Sequence, residues 1–120
     1  MIRTTWASVE QYIKNVAAYC EKKGIGTAGV YSLPRGGLIF AVLLSHYMDI
    51  PLLAAPCEGC IVIDDIADSG KSLLHYKERG YFITTMHYTR RSRVIPDYYL
   101  TETNDWIVYP WEGMKDDGRS

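Results

Sequence analysis

No stretch of this chain stays apolar for the ~20 residues that a membrane-crossing helix needs, so no transmembrane helix and no membrane partner are expected. Charge of either sign is not in excess. Lys and Arg number 13 against 14 Asp and Glu, a formal net charge of -1, and no global field draws the protein to nucleic acid or to an anionic surface. The opening "MIRTTWASVEQ" lacks the apolar core of an export signal. Cysteine is scarce, three in 120 residues, and without such a signal these are expected as reduced thiols in a cytoplasm. Two of them bound "CEGC", Cys57 and Cys60. A redox or zinc role for a lone C-x-x-C asks for a helix start behind it or a second ligand pair. Neither follows, and the stretch reads as a turn before a strand. Linkers, repeats and low-complexity tracts are missing too, so a single domain over 1–120 is expected, with 113–120 a frayed tail.

What is present is an alternation of apolar runs. Thr5 is placed to cap a helix from Trp6 to Lys23, in which Val9, Ile13, Val16, Ala17 and Cys20 recur on one face. Lys22, Lys23 and Gly24 suit its end. Residues 28–33 read as a short buried strand and 34–37 as a tight turn. Residues 38–48, "LIFAVLLSHYM", are apolar nearly all round and predict a helix packed on a sheet. "IPLLAA" (50–55) predicts a second short strand, and "CIVID" (60–64) a third, apolar without alternation as a central parallel strand should be. A helix over 72–79, a strand over 81–88, a loop from Arg90, a short strand at 98–100 and an aromatic segment at 105–113 complete the reading. Strands alternating with helices argue for an α/β fold, a parallel sheet covered on both faces.

The stretch "VIDDIADSGKS" places Asp64, Asp65 and Asp68 within five positions, directly after an apolar strand. In a parallel α/β sheet, ligands bind beyond the carboxyl ends of the strands, and Asp64 and Asp65 are expected at such an end. Taken alone, two acids there are a solvated strand end. The residues after them add more. Asp68, Ser69, Gly70, Lys71 and Ser72 form a short loop that runs into a helix, and its N–H groups, hydroxyls and helix start make an anion cradle. Carboxylates repel a phosphate, so beside such a cradle they need another partner, such as the vicinal hydroxyls of a ribose. Together these describe a site for ribose 5-phosphate. The Walker A motif fails because Asp65 stands where its first glycine belongs. A receiver domain also clusters aspartates, but it gives no reason for a glycine loop that opens a helix.

Residues 62–72 resemble the phosphoribosyl diphosphate motif of type I phosphoribosyltransferases: an apolar strand, two acids, a spacer, a third acid and a Ser-Gly-x-Ser loop. "SLPRGGL" (32–38) resembles that family's pyrophosphate loop, and "DWIVYPWE" (105–112) the C-terminal segment of its xanthine-guanine and hypoxanthine (purine) branch. The three occur in the family's order and span most of the chain. The resemblance implies a minimal single-domain fold, with a central parallel sheet flanked by helices and a small C-terminal aromatic hood. It implies that Asp64 and Asp65 bind the ribose 2- and 3-hydroxyls, directly or through Mg2+, an ion that favours oxygen ligands and keeps several waters. Ser69, Gly70, Lys71 and Ser72 would hold the 5-phosphate, with Lys71 alternatively a solvated charge. Arg35, Gly36 and Gly37 would approach the diphosphate across a cis Pro34–Arg35 peptide. The plain reading of that stretch is a strand-to-helix turn with a surface arginine. Asp68 would face N7 of the purine and exchange a proton with it, or cap a helix, or both. Trp106 would stack on the base, and the Ile107 carbonyl would read its 2-position. Tyr109 and Trp111 are expected to pack.

Two departures from the pattern stand out. The purine branch carries a lysine after the fourth strand that bonds the 6-oxo group, and counting back from "PDYY" (96–99) puts Thr89 there. Thr89 can donate a hydrogen bond, and Arg90, the next residue, can reach the site; "RRSR" otherwise reads as a solvated loop. The family's mobile lid is also missing, since only residues 54–60 separate "PLL" from "IVID". The expectation is an enzyme of purine salvage that transfers phosphoribosyl from its diphosphate donor to a 6-oxopurine, as a homo-oligomer (dimer or tetramer) in the cytoplasm. The alternatives are a non-catalytic regulator that binds the donor, or transfer to another base. Nucleic acid is not an expected partner, given the near-neutral charge and a single short arginine cluster.

Overall fold

The first long helix begins where the sequence puts its cap. The Thr5 hydroxyl accepts the Ser8 N–H and the Ser8 hydroxyl accepts the Thr5 N–H, each at 3.1 Å, so two of the donors exposed at a helix start are satisfied reciprocally. The helix stops at Gly24, whose φ of 68° is a left-handed turn that glycine adopts at no steric cost. The computed structural model describes residues 1–112, and the expected frayed tail, 113–120, lies outside them. In chain order the elements are β1 (Ile2–Arg3), α1 (Trp6–Lys23), β2 (Val30–Ser32), α2 (Leu38–Met48), β3 (Ile61–Ala67), α3 (Lys71–Glu78), β4 (Phe82–Tyr88), β5 (Tyr98–Glu102) and β6 (Ile107–Val108).

Strands β2, β3, β4 and β5 pair in that order, all parallel. Ile61 and Ile63 of β3 face a core shared with α1 and α2, while Val62 and the preceding Cys60 face a second core with Leu73 of α3. Burial on both faces is why the strand reads as a continuous apolar run. The Cys57–Cys60 segment is a turn before this strand, with the Cys60 N–H donating to the Cys57 carbonyl at 3.1 Å.

Strand boundaries differ from the expectation: β2 keeps only Val30–Ser32 of the expected 28–33, β4 begins at Phe82 instead of residue 81, and three others differ in kind or extent. Residues 50–55 form no full strand. A single bridge joins Leu52 to Val30, in which the Val30 N–H donates to the Pro51 carbonyl (2.9 Å) and the Leu53 N–H to the Val30 carbonyl (2.8 Å). Pro51 has no N–H to extend the ladder, and its partner strand is itself short. Strand β3 does not stop at Asp64. Its pairing with β4 continues to Ala67, although its pairing with β2 ends at Ile63. Strand β5 likewise runs on to Glu102. Helix α3 is shifted by one residue, beginning at Lys71 and ending at Glu78.

The Leu52 bridge sets the topology. From β2 the chain moves outward through α2 to the Leu52 segment, then returns to β3 on the other side of β2. The strand order thus reverses between β2 and β3, the switch point at which open α/β sheets bind ligands. At the same end, β1 and β6 form a parallel pair that the sequence did not announce, closed by Ile2 N–H to Trp106 O (2.8 Å) and Thr4 N–H to Val108 O (2.9 Å). Trp111 ties this hood to the body, with ring centroids 5.1 Å from Phe40, 5.5 Å from Trp6 and 5.4 Å from Tyr109.

Between α1 and the sheet, the fully buried Tyr12 phenol lies 2.7 Å from the Thr84 hydroxyl. Thr84 gives its own proton to the Tyr98 carbonyl at 2.9 Å, so Tyr12 is the donor to Thr84. Tyr12→Phe removes that donor and leaves the Thr84 bond intact, a loss of about 1 kcal/mol. Thr84→Val instead strands a buried phenol and a buried carbonyl, a loss of about 2–3 kcal/mol. Urea unfolding of the two variants is expected in that order; a milder Thr84→Val would overturn the donor assignment.

Candidate active site

The loop that follows β2 leans directly on the acids of β3. Residues 34–37 turn tightly, with the Gly37 N–H on the Leu33 carbonyl (3.1 Å) and the Leu38 N–H on the Arg35 carbonyl (3.0 Å), and the Pro34–Arg35 peptide is cis. A Cβ on Gly36 would lie 2.7–2.8 Å from the atoms of the Asp65 carboxylate, and one on Gly37 would lie 2.6 Å from the Ile63 carbonyl oxygen. Glycine is required here for contact with β3 itself. Arg35 is exposed at the mouth of an open cleft of about 770 Å³, which Gly36, Leu38, Ile39, Asp65, Trp111 and Glu112 also line.

Asp64 and Asp65 lie just past the point where β2 ends, so they open onto the switch point although their strand continues. Each spends one carboxylate oxygen locally: Asp64 Oδ1 accepts the Asp65 N–H (2.9 Å), and Asp65 Oδ1 accepts the Ile66 N–H (2.8 Å). Burial, with the Asp65 carboxylate beside it, raises the Asp64 carboxyl to about 8. The two carboxyls also hydrogen-bond each other, which places them as a pair. Among the described residues no group of three or more His, Cys, Asp or Glu side chains is arranged to enclose a metal ion. Such a donor set suits a cation that takes one or two carboxylates and fills its shell with water and phosphate oxygens, the habit of Mg2+.

Behind the acids lies a buried relay that the sequence reading missed. The Tyr109 phenol donates to the Asp65 carbonyl (3.0 Å) and also lies 3.0 Å from His87 Nδ1. The single phenolic proton is committed to the carbonyl, so His87 Nδ1 carries a hydrogen and donates to the phenol oxygen. Burial lowers His87 to about 4, which keeps it neutral and fits that tautomer. Tyr109 and Trp111 do pack, as expected, but Tyr109 also links the hood to the acid strand.

The loop after β3 joins a second loop, after β4. Gly70, not Asp68, precedes α3, with φ 77° and no side-chain cap on the helix. The cap reading of Asp68 is therefore corrected. Ser69 Oγ accepts the Lys71 N–H (3.2 Å), and Lys71 and Ser72 are exposed. A Cβ on Gly70 would lie 2.5 Å from Ser92 Oγ and 2.7 Å from the Arg93 and Val94 nitrogens. Thr89 is buried and donates to the Asp68 carbonyl (2.8 Å), with the Asp68 carboxylate 3.3 Å away. Arg90 does not reach the site; it pairs with Glu102 at 2.7 Å. Arg91, which the sequence reading left without a role, lays its Nε on Asp68 Oδ1 at 2.7 Å.

In the hood, Trp106 is 76% exposed, and its ring stacks on no other among the described residues. The carbonyls of Trp106 and Val108 both face β1. Successive carbonyls of a strand alternate, so that of Ile107 faces away from β1. Its side chain is buried.

No protein-family model matches the chain. It is 25% identical to a xanthine-guanine phosphoribosyltransferase of Nitratidesulfovibrio vulgaris, over 90% of this chain and 82% of that protein. The crystal structure of a purine phosphoribosyltransferase from Pyrococcus horikoshii superimposes with a TM-score of 0.79 at 29% identity, covering 92% of this chain and 93% of that one. A Helicobacter pylori xanthine-guanine-hypoxanthine phosphoribosyltransferase gives the same TM-score at 17% identity, over 95% and 94% of the two chains. The chain thus has the type I phosphoribosyltransferase fold and is a relative of the xanthine-guanine and other purine phosphoribosyltransferases.

Proposed function

We propose that the protein is a purine-salvage enzyme that transfers the 5-phosphoribosyl group from phosphoribosyl diphosphate to a 6-oxopurine (hypoxanthine, guanine or xanthine), releasing diphosphate. The observation that carries this is the contact of the 34–37 loop with Asp65 at the sheet's switch point, followed past the same strand by a helix start whose N-cap is Gly70, a residue with no side chain of its own. Backbone N–H groups of Ser69, Gly70, Lys71 and Ser72, with the serine hydroxyls, bind the 5-phosphate. Asp64 and Asp65 take the ribose hydroxyls and would hold Mg2+, directly or through water. When bound, that ion offsets the charge of the departing diphosphate. Arg35 clamps the diphosphate.

At the other side of the ribose, Trp106 offers its open face to the base, a contact worth about 1–3 kcal/mol, and the Ile107 carbonyl reads the 2-position. Asp68 faces N7. As the bond from ribose C1 to diphosphate breaks, N9 attacks, and Asp68 takes the N7 proton so that no positive charge builds on the ring. A homo-oligomer would cover the apolar flank of α2, where Leu38, Val42 and Tyr47 are exposed. A cytoplasmic enzyme agrees with three free cysteines.

Diphosphate release, followed with donor, Mg2+ and each of hypoxanthine, guanine, xanthine and adenine, tests the reading. Turnover is expected with at least one 6-oxopurine and little or none with adenine. Donor binding without release for any base would replace the enzyme with a donor-binding regulator. Asp68→Asn is expected to lower kcat about 100-fold while changing donor affinity less than about twofold; an undiminished kcat removes Asp68 from the chemistry.

Holding Asp64 ready for a ligand leaves a mark on the ligand-free protein. Its folded pKa is raised, so its contribution to stability is lost as pH climbs towards about 8. His87 is depressed to about 4, so its contribution is lost as pH falls below about 6.5. Between pH 4 and 6.5 the two slopes oppose each other. Between about 6.5 and 8 the Asp64 slope is no longer opposed by His87, and the unfolding free energy is expected to fall with rising pH. Asp64→Asn should flatten that window. Denaturant titrations at several pH values measure it, and an unchanged slope in the variant would refute the assignment.

A further inference from the structure

We propose that Arg91 reads the 6-position of the base and thereby selects 6-oxopurines over 6-aminopurines. This rests on the transferase site proposed above, and assigns the task that the resemblance gives to a lysine at Thr89. Thr89 is unsuited to it. It is buried, and the one proton of its hydroxyl goes to the Asp68 carbonyl at 2.8 Å. Arg90 is drawn to Glu102 on β5. Arg91 instead lies on the acid that faces N7. Both Nε (2.7 Å) and Nη2 contact Asp68 Oδ1, and its side chain is 69% exposed.

The hydrogen-bond pattern of this pair fits one kind of base. Arg91 engages Oδ1, and no described contact uses Oδ2 of Asp68. The remaining N–H groups of the planar guanidinium are open beside it. The pair therefore presents an acceptor next to donors. A 6-oxopurine protonated at N7 presents the complement, a donor at N7 next to the O6 acceptor. Adenine presents an amino donor at the same place, which would meet guanidinium donors head on. A site built to bond a polar group discriminates strongly against a ligand that leaves its donors unmatched. The ion pair also fixes the guanidinium before the base arrives, which limits the side-chain entropy lost on binding.

Two readouts on the full chain test this. The first is the ratio of kcat/KM for hypoxanthine to that for adenine. The second is the ratio of affinities for inosine and adenosine 5′-monophosphate, followed by intrinsic tryptophan fluorescence or calorimetry, which needs no turnover. Wild type is expected to favour the 6-oxo ligand in both. Arg91→Ala should shrink each ratio at least about tenfold, through KM more than kcat, with donor affinity changed less than about twofold. Arg91→Lys should restore part of the ratio, and Arg90→Ala should match wild type. Arg91→Ala with undiminished ratios, an Arg90→Ala variant that loses them, or wild type binding both nucleotides equally would overturn the proposal. Wild-type inactivity with every base would instead refute transferase activity, and the nucleotide ratio would still decide the role of Arg91.

Discussion

A Cβ on Gly37 would lie 2.6 Å from the Ile63 carbonyl oxygen, and one on Gly36 would lie 2.7 Å from the Asp65 carboxylate. This close approach governs the whole site. It sets the loop after β2 against β3 at the place where the strand order reverses, so that a cationic loop residue, Arg35, and Asp65 open into a single cleft, with Asp64 next to Asp65 on the strand. Larger residues at either glycine would push the loop off the strand. Gly37 faces rigid backbone, so substitution there disturbs the fold. Gly36 faces a side chain, so substitution there displaces the Asp65 carboxylate.

The elements that local rules determine were legible in the sequence. Both ends of α1 follow from Thr5 and Gly24, and α2 from an apolar run between a glycine turn and Asp49. The extent of β3 was not legible, because Asp64 and Asp65 break its apolar pattern while its pairing with β4 continues. Strands β1 and β6 have two residues each, too few for any period to show, and they exist only because distant ends of the chain meet.

The candidate site divides the same way. Asp64, Asp65 and the 69–72 loop could be read from one contiguous stretch. Tyr109, His87 and Arg91 could not, since each matters through a partner far away in sequence: Asp65 for Tyr109, Tyr109 for His87, Asp68 for Arg91. Counting back to a lysine position found Thr89, which the fold uses to brace the Asp68 turn, and missed the cation two residues further on.

The absent lid gives the relay behind the acids its purpose. The connection between the Leu52 bridge and β3 is a short turn with no length to fold over the cleft. On the proposed function, geometry that a closing flap would otherwise impose must then be present before the donor arrives. The Tyr109 phenol does this by gripping the carbonyl of Asp65 while His87, neutral at physiological pH, grips the phenol. Hood and acid strand are thereby held at a set separation, and Asp64, raised to about 8, keeps the ligand-free site from carrying two repelling charges. Under the proposed function, such a partly neutral cleft waits open for a phosphorylated sugar, and Asp64 ionises as the ligand fills it.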